Sequence, residues 1–143
     1  MKRAGALVPL SREHHEALVL ARRACEPHRP DAEPAALRQQ LLQRWDAQFE
    51  PHFAAEEQVL LPALEQAGST DAAAQGRRDH ARLRALVEQL RQGDLGCLPE
   101  WGAAMRAHVQ WEERELFPLA ERVLDLGLLQ PRLQRTEGTP CPT

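Results

Sequence analysis

The stretch HFAAEEQVLLP, residues 52–62, recurs as HVQWEERELFP at residues 108–118. Both copies keep a histidine, a pair of glutamates, a leucine and a proline at the same spacing. On a helix, residues four apart stack on one face, so His52 lies one turn before Glu56 and His108 one turn before Glu112. Each copy therefore sets an imidazole beside a carboxylate. The fold turns on whether that face meets water or the core.

It meets the core. At about 100° per residue, His52 and Glu56 share a sector with Leu41, Trp45, Phe49 and Val59. His108 and Glu112 share theirs with Trp101, Met105 and Leu119. Between the copies, His80 lies beside Leu83 and Val87. Ahead of them, His14 falls among Leu10, Leu18, Ala21 and Cys25, whereas His15 turns towards Ser11 and Arg22. Glu57 and Glu113 point away from their stripes and read as solvated surface charges.

A lone histidine on an apolar face is ordinarily a core residue with one hydrogen-bond partner. Two buried glutamates do not fit that explanation, because an unpaired carboxylate costs several kcal/mol to desolvate. Four histidines from four helices, with two glutamates aimed at the same interior, call for a shared cation. The duplication of the HxxxE pair outlines a two-metal site.

The rest of the chain agrees with this. Its 143 residues suffice for one domain with a core. Apolar residues are 43% of it, with three Phe, three Trp and no Tyr, so Leu, Ala and Val must fill the interior, which favours an all-α fold. Gly and Pro clusters at Pro27 to Pro34, Gly68 to Asp71 and Gly93 to Pro99 leave four helices. These run from about Ser11 to Cys25, Pro34 to Ala67, Ser69 to Gln92 and Pro99 to Leu126. Ser11 reads as an N-cap and Pro34 as a first-turn proline. Short connections predict an antiparallel up-down four-helix bundle over 7–127 with the metal site in its core. The expected tail, 128–143, is poorly ordered. Pro51, Pro62 and Pro118 fall inside helices and should bend them.

A net charge of −3 with interspersed signs gives no footprint for nucleic acid or an anionic membrane. The opening MKRAGALVPL is too short for a signal core or a span, which leaves a cytoplasmic location as the expectation. Cys25, Cys97 and Cys141 share no close spacing, so neither disulfides nor a thiolate metal site is expected. Oligomeric state is not readable: Leu126, Leu128, Leu129 and Leu133 fit either a docking patch or a helix end.

Imidazole and carboxylate ligation without thiolate suits iron, with manganese or zinc ranked behind it. Four imidazole nitrogens and two bridging carboxylates fall about two positions short of two octahedral shells sharing an oxo or hydroxo bridge. An open position in a dry pocket suits a diatomic or peroxide. The absence of tyrosine excludes a tyrosyl-radical role. Ferritin-like bundles use ExxH motifs with more carboxylate, which is not the order found here.

Taken together, REHHEAL around His14 and His15, HFAAEEQVLLP, DHARLRAL with His80 and HVQWEERELFP resemble the hemerythrin-like (HHE cation-binding) domain family. The resemblance implies a four-helix bundle around an oxo-bridged, non-haem pair of iron ions. It further implies ligands at His52, Glu56, His80, His108, Glu112 and a first-helix histidine. Some members carry Leu three residues after that histidine, which matches His15 and Leu18, so His14 and His15 both stand as ligand expectations. Oxygen carriers have a second histidine one turn away on the third helix, where this chain has Gly76 and Arg84. The ligand set is thus closer to bacterial four-histidine, two-glutamate proteins associated with nitric oxide, peroxide and iron-sulfur repair. The leading expectation is a di-iron protein that binds or senses O2, NO or peroxide, or handles iron. One alternative is an enzyme reducing NO or peroxide with an electron-transfer partner, and another is a binding module that the metal merely stabilises.

Overall fold

The computed structural model describes residues 3–26 and 34–137, with side chains to residue 134. The proline-rich stretch around His28, the end of the tail from 138 and Cys141 lie outside the described residues. After a 3₁₀ turn at Gly5–Leu7, helix α1 runs Val8–Cys25. Helix α2 spans 34–66, α3 is Thr70–Arg91, α4 spans 98–123 and α5 is Leu126–Glu137. Among the described residues no helix is long and apolar enough to cross a membrane.

Among the described residues the fold is all-helical, but it has five helices where the sequence predicts four. Residues 126–137 form α5, which takes in 128–137 of the expected tail. Leu126 and Leu133 are buried in the same apolar cluster as Leu7, Leu60 and Phe117, with Leu129 packed against it. Their i, i+3, i+7 spacing makes one apolar face, which holds the helix together despite Pro131 inside it. Val123 ends α4, because Leu124 is extended at φ −117°, ψ 151°.

Neighbouring long helices run antiparallel, as their contacts along the seams show. Ser11 meets Glu113 at one end of the α1–α4 pair, and Cys25 meets the Pro99 carbonyl at the other. Arg77 pairs with Glu65, Arg84 with Glu50 and Arg91 with Asp46 down the α2–α3 seam. Helices α2 and α3 each end in a Schellman motif at a left-handed glycine, Gly68 (φ 92°) and Gly93 (φ 97°). The following N–H groups of Ser69 and Asp94 return to the Leu64 and Gln89 carbonyls. Ser11 is not an N-cap: α1 starts earlier, at Val8 with Pro9 in its first turn, and the Ser11 hydroxyl donates to Glu113 at 2.7 Å.

The internal prolines do not end their helices. Each follows a π-helical turn by two residues: Trp45–Phe49 before Pro51, Glu56–Leu60 before Pro62, and Glu112–Leu116 before Pro118. A proline lacks the N–H and its ring clashes with the carbonyl four residues back. Widening the preceding turn relieves that clash, and the N–H groups of Leu61 and Phe117 bond five residues back, to Glu56 and Glu112. Two of the three wide turns therefore begin on the inward glutamates of the repeat.

The core is divided. One apolar cluster holds Leu41, Trp45, Phe49, Phe53, Trp101 and Met105, and the other Leu10, Leu60, Leu64, Leu116 and Phe117. Histidines and glutamates form the layer between them. At one point the packing is too close for any side chain: a Cβ at Gly102 on α4 would stand 2.5 Å from the Ala21 carbonyl oxygen of α1.

Candidate metal centre

His14 on α1, His52 and Glu56 on α2, His80 on α3, and His108 and Glu112 on α4 are all buried, and both glutamates are 0% exposed. They converge. Ligand atoms of Glu56, His80, His108 and Glu112 lie within 4.8 Å of one another, as do those of His14, His52 and Glu112. The groups share Glu112: Oε1 lies 2.8 Å from His14 Nε2 and 3.7 Å from His52 Nε2, and Oε2 lies 3.2 Å from His108 Nε2. Glu56 spans the layer in the same way, with Oε2 3.1 Å from His52 Nε2 and Oε1 2.9 Å from His80 Nε2.

The other expected first-helix ligand does not join them. His15 is exposed and lines a groove with Glu16, Arg23 and Arg44 on the outer face. One residue along a helix is a rotation of about 100°, so only one member of the pair can face inwards.

Glu57 and Glu113 are not the solvated charges that the sequence suggests. Glu57 Oε2 lies 2.7 Å from His80 Nδ1, and Glu113 Oε2 lies 2.7 Å from His14 Nδ1. Burial opposes ionisation of Glu57, but bonds from His80 and Arg84 hold its pKa down at about 2. Glu113 is also lowered to about 2, by the His14 bond first and by Ser11 and Arg3 after it. Both are therefore acceptors, and the imidazole Nδ1–H must donate. The other two histidines are served by the residues preceding His80 and His14. Asp79 Oδ2 is 2.9 Å from His108 Nδ1, and Glu13 Oε2 is 3.8 Å from His52 Nδ1. Each histidine thus turns Nδ1 to an outer carboxylate and Nε2 to the centre.

At the centre, Glu56 Oε1, His80 Nε2, His108 Nε2 and Glu112 Oε2 are buried without a hydrogen-bond partner. His80 Nε2 and Glu56 Oε1 are only 2.9 Å apart yet lack hydrogen-bond geometry. Four buried donor atoms left unbonded by protein are costly, and a cation between them satisfies all four. The residues fit a metal.

A family model for the hemerythrin HHE cation binding domain matches residues 7–120, and the match contains all six residues. The chain belongs to the hemerythrin HHE family. No match was found among the curated proteins or among the solved structures. Family membership implies a metal cofactor, typically iron, and the buried histidine and glutamate groups of this hemerythrin domain supply the ligands for a cation.

The two halves of this hemerythrin domain differ beside the site. Phe53, which follows His52, stacks on His80 at 4.0 Å between ring centroids. At the matched place after His108 stands Val109, and a cavity of about 10 Å³ lies there, lined by His14, His52, Phe49, Phe53, Met105 and Val109. That is room for about one water-sized molecule. Gly76, one turn before His80, is closely packed: a Cβ there would meet the Leu61 methyls at 3.3 Å and Trp111 at 3.7 Å, so a larger side chain would have to displace them.

Proposed function

We propose that this protein holds two iron ions among His14, His52, Glu56, His80, His108 and Glu112 and uses them to bind a small ligand of the O2, NO or peroxide class. In this reading α1–α4 act as an up-down four-helix bundle around the pair. His80 and His108 would hold one ion and His14 and His52 the other, with Glu56 and Glu112 shared between the two sides. The observation that carries it is the convergence of two ligand groups on Glu112, with donor atoms that no protein group satisfies.

Bound iron would supply a redox couple and a free coordination position. The chain supplies the rest. Outer carboxylates fix the Nδ1–H of His14, His80 and His108, which leaves each of their Nε2 lone pairs directed inwards and raises its basicity. Apolar clusters above and below exclude bulk water. The side of the site formed by His14, His52 and Glu112 adjoins the cavity beside Val109, which favours a ligand of two or so atoms over an organic substrate.

The test is an optical spectrum of the oxidised, iron-loaded protein before and after adding azide. The reading expects near-ultraviolet bands that shift with azide and disappear in His52→Ala. Iron bands indifferent to azide, or a protein that binds only one zinc, would overturn it.

A further inference from the structure

A groove of about 400 Å³ runs between the start of α3 and the second half of α4, outside the histidine layer. Its wall is Trp111, which is half-buried, whereas Trp45 and Trp101 are enclosed in the core. The duplication explains the opening. The residue of α2 matched to Trp111 is Ala55, fully buried in the cluster that α5 completes, and among the described residues no helix covers the corresponding face of α4. The volume is that of a small-molecule site.

Charged groups rim the groove. Arg114 and Arg122 are both exposed, and among the described residues neither guanidinium has a carboxylate partner. Arg3, Arg77, Arg84 and Arg91, by contrast, are all paired. Asp71 and Glu115 complete the rim as acceptors. Leu116 and Leu119 give the floor an apolar surface next to the indole.

We propose that this groove binds an anionic aromatic molecule, its ring lying on Trp111 and its negative group held by Arg114 and Arg122. Stacking on an indole rewards a flat ring, and unpaired guanidinium groups select phosphate or carboxylate. Hydroxyl or ring N–H donors on the ligand meet Asp71 and Glu115. Trp111 also packs 5.8 Å from the His108 ring, so an occupant lies one side chain away from the histidine layer. The inference goes beyond the metal reading and does not depend on it, since none of the rim residues belongs to the six.

Flavin mononucleotide, which carries ring, hydroxyls and phosphate, is the probe, followed by its fluorescence anisotropy on the purified full-length chain. Saturable binding is expected, weakened by added salt and by at least about tenfold in Arg114→Gln/Arg122→Gln. Both arginines are exposed, so the double variant should keep the wild-type unfolding midpoint. Riboflavin and inorganic phosphate, each lacking half of the chemistry, should bind more weakly. The proposal is overturned if no saturable binding occurs, if the folded double variant binds as tightly as wild type, or if phosphate alone matches the nucleotide.

Discussion

An imidazole offers its two nitrogens in opposite directions, and the buried histidines here use both. His80 spans Glu56 on its inner side and Glu57 on its outer side, and His14 spans Glu112 and Glu113. Each EE pair therefore works as a unit across a helix seam: the first glutamate faces inwards, and the second orients the histidine of the neighbouring helix. Arg84 reinforces this by bridging Glu50 and Glu57. Glu57→Gln should lower metal affinity by about 10–100-fold without unfolding the protein. Competition with a chelator measures the effect, and unchanged affinity would contradict the assigned role. His14→Ala should lose metal, whereas His15→Ala should retain it, read by metal content. Five of the six inward residues were legible in the sequence because helical spacing puts them on apolar stripes, and the sixth was narrowed to His14 or His15. The roles of Glu57, Glu113, Asp79 and Glu13 were not, because a wheel shows which way a residue leaves its own helix and not which neighbour it reaches.

The helices were legible from their Gly and Pro breaks, but the response to internal proline was not. Beyond the expected bends, the chain inserts at each proline a π turn that ends two residues before it, a feature the sequence does not signal. Two of these turns begin on Glu56 and Glu112, which ties the proline to the aim of the carboxylate. Pro118→Ala, which removes the clash, should let the turn relax and weaken metal binding more than it changes helix content. Circular dichroism with a chelator titration separates the two, and full affinity would count against the link. Helix α5 was missed because Pro131 and Gly127 outweighed the spacing of Leu126, Leu129 and Leu133. The α1–α4 contact depends on one missing side chain. Gly102→Ala forces a methyl group into the Ala21 carbonyl and should cost about 1–3 kcal/mol in denaturant unfolding.

Across the whole molecule, a charged layer separates two apolar clusters, and its stability should follow pH differently with and without metal. Burial opposes protonation of His108, yet the Glu112 carboxylate and the Asp79 bond outweigh it and push the pKa up to about 10. His52 is raised as well, against the same burial, chiefly by Glu56. These groups bind protons more tightly when folded. In the metal-free protein their contribution is therefore complete below the unfolded value of about 6.5 and is lost as pH climbs towards about 10. A bound cation needs neutral imidazoles, so metal binding strengthens over the same interval. The gap between loaded and metal-free unfolding temperatures should widen from pH 6 to pH 9, and parallel curves would contradict the picture of protons standing in for metal.

The account rests on six residues of one chain forming a site for two ions, and ion stoichiometry tests it most directly. Metal-free protein titrated anaerobically with ferrous ion, desalted and analysed for iron should hold about two ions per chain. Glu112→Gln, which removes the carboxylate common to both groups, should retain fewer than one. A wild-type value of one or none, or two ions retained without the Glu112 carboxylate, would contradict the shared two-metal site.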